Sequence, residues 1–267
     1  MLQLEPGALR KSDELHQVRN AKLGVDGSCL PATLYRLKKE SEEKEDQPDV
    51  YQQLANRLSE LITDVSEIGI DKDERRELLT LKLKSKDGTW HPARSLSDGT
   101  LRFLGLAVIE LDQNSSGVIC LEEPENGIHP EKIKSVIKLL EDICTDTSEA
   151  VGSDNPLRQV IINTHSPIVV QQVPEDSLLM AALKETSLDG KFFRKASYSP
   201  LSDTWHTKID PQVKSVMLGD LLAYLNAVEW KQENEGETET STQKNKDKKR
   251  SKRVIDRKDI QQLVLPF

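Results

Sequence analysis

Apolar positions along this chain recur with three different periods, and each period predicts a different element. Val50, Leu54, Leu58, Leu61 and Val65 fall at helical spacing, which predicts an amphipathic helix over 49–63. Leu30 to Leu37 opens another helical pattern, which gives way to Lys38–Asp49, a charge-dense stretch expected as a solvated connector. Leu79, Leu81 and Leu83 alternate with Thr80, Lys82 and Lys84, the period of a half-exposed strand. Asp87-Gly88 supplies a turn into a return strand through Trp90. Leu101 to Leu111 is apolar nearly all round, as a buried helix requires.

Residues 117–122 and 158–163 are short apolar runs that predict two central strands. Between them Ile133, Val136, Ile137, Leu140, Ile143 and Cys144 make one helix face, and 145–157 reads as a loop. Strand, helix, strand with short links is the βαβ unit of a parallel sheet. A strand over 177–183 and a hairpin about Asp189-Gly190 are expected to extend that sheet. Val213, Val216, Met217, Leu221, Leu225 and Val228 predict one more amphipathic helix, while residues 1–30 show no clear period. Residues 231–253 carry almost no apolar side chains, acidic first and then basic from Lys244 to Arg253. Such a stretch cannot offset its ordering entropy by burial and is expected to be disordered.

Composition narrows the class. The chain has 267 residues, 36% hydrophobic and 31% charged, with a net charge of −8. That balance argues against a uniformly basic nucleic-acid binder, though not against a local basic patch. No run approaches eighteen apolar residues and no signal-like start is seen, so a cytoplasmic protein without a membrane span is expected. Cys29, Cys120 and Cys144 are odd in number and widely spaced, which indicates neither a disulfide framework nor a zinc cluster.

Three blocks carry candidate chemistry. Val118 to Glu123 is a buried-strand pattern ending in two adjacent carboxylates, followed by Pro124. Ligands of open parallel sheets bind beyond the carboxyl ends of the strands. Adjacent carboxylates there can divide the work of holding magnesium and orienting an attacking water. The plain alternative is a pair of exposed loop carboxylates. Val160 to Asn163 leads into Thr164-His165-Ser166-Pro167; a neutral His165 could donate to a γ-phosphate, or simply bond a nearby carbonyl. Leu96-Ser97-Asp98-Gly99-Thr100 opens the buried helix, either as an anion site at a helix N-terminus or as an ordinary N-cap.

Taken together, these residues resemble the C-terminal half of an ABC-type ATPase head of the SMC/RecF-like branch, including the stand-alone RecF-like "AAA family" ATPases and the related OLD proteins. Leu96 to Thr100 resembles the signature motif, with Asp98 and Thr100 where transporters carry Gly and Gln. Val118 to Glu123 resembles Walker B, with Glu122 at the metal position and Glu123 as the catalytic glutamate. Glu125-Asn126-Gly127-Ile128-His129-Pro130 resembles the D-loop region, and His165 the switch histidine. The resemblance covers 94–183 well and 1–93 more loosely. It implies an α/β, partial P-loop NTPase (ABC-type) fold, with a mainly parallel sheet flanked by helices and an accessory helix-plus-hairpin segment. The division it suggests is 1–93 as accessory segment, 94–228 as ATPase lobe and 229–267 as charged tail.

The implied cofactors are ATP and Mg2+. Glu123 and His165 would be catalytic and Glu122 the metal ligand, with Ser97, Asp98, Gly99, Thr100, Asn126, Gly127 and His129 touching nucleotide. The implied partners are a homodimer or a complete ATPase supplying a P-loop, with DNA and an associated nuclease beside them. One departure is plain: no Gly-x-x-x-x-Gly-Lys-Ser/Thr occurs in the sequence. Met1 to Pro6 resembles the middle of such a head, so a chain shortened at its start is expected. The leading expectation is an ATPase lobe working in DNA maintenance or phage defence. A second is a non-catalytic subunit capping a partner's nucleotide in trans. A third is a metal-dependent hydrolase using Glu122, Glu123, Glu125, His129 and His165.

Overall fold

The computed structural model describes residues 2–43, 48–188 and 191–226. Two compact units divide the chain, residues 1–164 and 165–267. The 93/94 division suggested by the sequence falls inside the first.

The first unit begins with α1 (Pro6–Leu9), β1 (Asp13–Glu14) and α2 (Leu30–Glu42). Helix α2 buries Leu30, Ala32, Leu34 and Leu37 and runs into the segment expected as connector. Ion pairs four residues apart support that extra turn, Arg36 to Glu40 at 2.9 Å and Lys38 to Glu42 at 3.2 Å. Asp49 caps α3 (Val50–Ser59) by accepting from the backbone N–H groups of Tyr51 and Gln52. Val65 continues the helical spacing in sequence, yet it opens β2 (Val65–Asp73). That strand is masked in the sequence by Ser66, Glu67, Asp71 and Lys72 on its exposed positions. Strand β2 pairs antiparallel with β3 (Leu78–Ser85), whose alternate residues are buried as the leucine period predicts. On the side of β3 away from β2, β1 pairs with Leu78 and Leu79 and β4 (Trp90–Pro92) with Lys82–Lys84.

Helix α4 (Asp98–Leu111) buries ten of its residues, Phe103 and Leu104 among them. Strands β5 (Gly117–Glu122) and β6 (Arg158–Asn163) pair in parallel, from Gly117 opposite Arg158 to Glu122 opposite Asn163. The crossover between them carries α5 (Ile133–Ile143), which buries Ile133, Val136, Ile137, Leu139, Leu140 and Ile143. The N-terminal segment lies along β5, with Leu2 bridging Leu121 in parallel and donating to the Cys120 carbonyl at 2.7 Å. The class is α/β; among the described residues β5 and β6 are the parallel strand pair, accompanied by isolated parallel bridges between Leu2 and Leu121 and, in the second unit, between Leu201 and Val216. Both strands read as buried from sequence, but Val118 is 61% and Ile161 51% exposed, while Leu121 is buried. The pleat explains it, since alternate residues point to opposite faces and only the Leu121 side is covered. Arg158 clamps the α4–β5 connection by donating to the carbonyls of Glu110, Asp112 and Ser115 at 2.5–3.0 Å.

The second unit contains α6 (Pro167–Gln172), β7 (Leu179–Leu188), β8 (Lys191–Pro200), α7 (Trp205–Ile209) and α8 (Leu218–Asn226). The predicted hairpin is present but pairs in a two-stranded sheet of its own and does not extend β5–β6. Its turn, Asp189-Gly190, lies outside the described residues. Val216 exchanges backbone bonds with Pro200 and Ser202 instead of joining the last helix, which starts at Leu218. Val170, Leu201 and Leu221 form this unit's core, with Met180 and Leu218 packed against it. Val228 and the tail 229–267 lie outside the described residues. No helix among the described residues is long and apolar enough to cross a membrane. The three cysteines are free thiols.

Candidate functional site

The carboxyl ends of β5 and β6 are held together by the residue that follows β5. Glu122 ends the strand opposite Asn163 and is exposed. The next residue, Glu123, has φ +45°, the left-handed region that side-chain-bearing residues avoid. Three contacts enforce it. The Glu123 N–H donates to the Asn163 carbonyl at 2.8 Å. The Asn126 N–H donates to the Glu123 carbonyl at 3.0 Å, and the Asn126 amide donates to Glu123 Oε2 at 2.6 Å. The turn thus orients one carboxylate while leaving its neighbour Glu122 in solvent. Backbone strain of this kind concentrates at functional sites.

Beyond the turn the chain dives inward at Pro124 and Glu125. Glu125 accepts a hydrogen bond from the Thr164 hydroxyl through Oε1, while Oε2 is buried with no partner among the described residues. The chain re-emerges at Asn126 and Gly127, where φ is +79°.

The start of α4 packs against this loop. A Cβ on Gly99 would come within 2.4 Å of the Gly127 carbonyl oxygen, a backbone atom that cannot yield cheaply. Glycine at 99 therefore allows the Ser97–Thr100 turn and the Asn126–Gly127 turn to touch within one chain. Ser97 is the helix N-cap, accepting from the Thr100 N–H at 3.2 Å and sharing a 2.7 Å bond with the Thr100 hydroxyl. Ser97 and Asp98 are exposed while Gly99 and Thr100 are buried, and Arg10 reaches Asp98 at 2.5 Å and the Leu96 carbonyl at 2.9 Å.

Arg102, one turn into α4, donates to the carbonyls of Asn126 at 2.7 Å and Leu4 at 3.2 Å. A cavity of about 320 Å³ opens beside it, lined by Glu5, Arg102, Leu121, Glu122, Glu123 and Asn126 with their neighbours. Glu5, Glu122 and Glu123 against one guanidinium leave the lining of this cleft with an excess of negative charge. His129 stands apart from these contacts, exposed, its Nδ1 accepting from the Glu131 N–H at 3.4 Å. His165 is two residues past the end of β6 and opens the second unit, one residue beyond Thr164.

Sequence reasoning did not assign Arg102 or Glu5 to the site, and named Glu125 only within the D-loop-like block and as a ligand in the hydrolase reading. Arg102 looks like one polar residue on a buried helix, and Glu125 like another acid in an acidic loop. Only their contacts with residues 24 and 39 positions away single them out. Among the described residues no three of His, Cys, Asp and Glu are grouped to hold a metal ion. The five-ligand hydrolase reading therefore loses its basis. Magnesium needs no such cage, since it is commonly held by one or two carboxylates with phosphates and water. Glu122 and Glu123 fit that demand.

Several solved structures share features of this fold. An SMC ATPase, from work on ATP-driven dimerization and DNA-stimulated activation, is 11% identical with TM-score 0.36, covering 62% of this chain and 93% of its own. An Smc head domain with a coiled coil and joint from Pyrococcus yayanosii is 12% identical with TM-score 0.39, covering 67% and 28%. The SMC head domain from Thermotoga maritima is 14% identical with TM-score 0.33, covering 63% and 52%. This chain thus spans about a quarter and about half of those last two. No curated protein matches it. Residues 15–171, more than half of the chain, match the AAA_21 family, described as "AAA domain, putative AbiEii toxin, Type IV TA system", and the chain belongs to that family.

Proposed function

We propose that this chain supplies the acid-pair half of an ABC-type, RecF-like ATPase site, which a P-loop completes. In this reading Glu122 would hold Mg2+, directly or through water, and Glu123 would orient the water that attacks the γ-phosphate. The metal's chemistry is to neutralise charge on the transferred phosphoryl group. The Asn126 amide bonded to Glu123 Oε2 keeps that carboxylate aimed, so less reorganisation is left for the reaction itself. His165 would sense the γ-phosphate, and Ser97 with Asp98, Gly99 and Thr100 would present the positive end of α4 to a nucleotide on the partner. Asn126, Gly127 and His129 would line the same interface. Family membership supports ATP binding by this fold. The observation that carries the reading is the strained backbone at Glu123, held by Asn163 and Asn126.

A second reading is favoured by one feature, the exposed Ser97 and Asp98 at the open end of a 14-residue helix. The chain would then cap a partner's nucleotide without hydrolysing any of its own. DNA maintenance, phage defence or a toxin role, the last suggested by the family's description, would follow from the partner in either case.

One experiment separates these. The chain is mixed with a P-loop-bearing ATPase of the same family and Mg-ATP turnover is followed. The leading reading expects turnover above the partner's own rate, cut at least about a hundredfold by Glu123→Gln and abolished by Ser97→Arg. Sensitivity to Ser97→Arg alone would select the capping role. Turnover indifferent to both substitutions would overturn both readings.

A further inference from the structure

The β7–β8 hairpin has an inner and an outer face. Met180 on the inner face packs against Val170, Leu201 and Leu221. The register then places Leu179, Ala181, Leu183, Glu185 and Ser187 on the outer face, opposite Pro200, Tyr198, Ala196, Arg194 and Phe192. Past the Leu179–Pro200 rung, where Pro200 is buried, that face is exposed and, the Glu185–Arg194 rung aside, mostly apolar: Leu183 is 70%, Tyr198 66% and Phe192 85% exposed. A two-stranded ribbon is marginal in water unless a face is covered, and contiguous exposed apolar surface marks an interaction site.

Its side chains say what covers it. Three rungs pair a large residue with a small one, Tyr198 with Ala181, Leu183 with Ala196 and Phe192 with Ser187. A fourth pairs Glu185 with Arg194, 3.7 Å apart and open to solvent. Suppose a second copy is laid face to face across a two-fold axis running along the ribbon. Each β7 residue then overlies the β8 residue of its own rung in the other copy. Leu183 meets Ala196, Tyr198 meets Ala181, Phe192 meets Ser187, and Glu185 meets Arg194. An axis across the ribbon would instead set Ala181 over Glu185 and Tyr198 over Arg194, burying charge against apolar groups. The first arrangement matches size and charge at four successive rungs; the second matches neither.

We propose that the outer face of the β7–β8 hairpin is a self-association surface whose occupant is the same hairpin of a second copy of this chain. Ten residues at about 3.3 Å each, on a ribbon about 10 Å wide, offer a footprint of roughly 300 Å² per copy. Both copies together bury about 600 Å², well under the 1,200 Å² or more typical of stable complexes, so the dimer is weak and concentration-dependent. It needs neither nucleotide nor magnesium, which separates it from any association driven by the ATP site.

Sedimentation equilibrium of the full chain without nucleotide, with chelator present, tests this. The expected result is a monomer–dimer equilibrium with a dissociation constant on the order of 100 µM. Glu185→Arg should raise that constant at least about tenfold by setting like charges together. Glu185→Arg with Arg194→Glu should restore it to within about threefold, because the pair is rebuilt with reversed signs. Leu183→Ser should weaken it as well, and the exposure of all three positions keeps the fold intact. A chain that stays monomeric up to about 1 mM would leave the face to some other occupant and overturn the proposal. Dimerisation unaffected by Glu185→Arg, or not recovered by the double exchange, would overturn it equally.

Discussion

Glu123 shows how much a single residue can carry. A non-glycine side chain in the left-handed region costs roughly 1–2 kcal/mol, and here the cost is met by bonds to Asn163 and Asn126. Glycine at this position should release the strain and alanine should not. Both lose the carboxylate, so their comparison isolates the backbone. Glu123→Gly is expected to exceed Glu123→Ala in unfolding free energy by about 1 kcal/mol, the reverse of the ordinary order in regular elements. Denaturant midpoints at unchanged m-value measure it. Alanine at or above glycine would mean that the turn relaxes and stores no strain. The adjacent carboxylates were legible from sequence; the left-handed turn between them was not, since no glycine or asparagine flags position 123.

At the scale of elements, β1 and α2 are joined by one buried carboxylate. Cys29, the N-cap residue of α2, provides no side-chain bond, and Asp13 on β1 accepts from the Ala32 N–H at 2.9 Å instead. Burial pushes the Asp13 carboxyl above its ordinary 3.8, partly opposed by that same bond. A raised folded-state value means its stabilising contribution is complete below the unfolded value and is lost as pH rises through the folded one. Asp13→Asn keeps the acceptor and removes the charge. Its stability relative to the parent chain should therefore improve as pH rises past the ordinary 3.8 and level off once Asp13 is ionised in the folded chain as well. A difference that is flat with pH would show that the ionised form is as well accommodated as the neutral one. The leucine alternation of β3 and the all-round apolar α4 followed the sequence closely. Strand β2 did not, because its exposed charges break the period and its pairing to β3 restores it.

At the scale of the first unit, a buried ion pair ties α2 to the end of α4. Arg36 meets Asp112 at 2.6 Å, with side chains 8% and 5% exposed, and also donates to the Ala21 carbonyl at 2.7 Å. Removing one partner strands the other in a low-dielectric interior. Arg36→Ala should cost about 3–5 kcal/mol. Replacing the pair together, Arg36→Met with Asp112→Leu, should cost much less, because no lone charge is left behind. Chemical denaturation of the two variants decides it, and an equal loss in the single and the double variant would mean that the pair contributes more than it costs to bury.

Local period and end signals in the sequence determined α4, α5, β3, β5 and β6, and placed two carboxylates where a parallel strand gives way to a loop. Those features depend on neighbours within one or two turns of chain. The tertiary structure decided what comes from elsewhere: Gly127 against Gly99, Thr164 on Glu125, Asn163 on Glu123, and a hairpin that keeps to its own sheet. No period encodes these approaches. They depend on where the chain returns after 28 to 40 residues, and that is fixed only once α4 and α5 have buried their apolar faces.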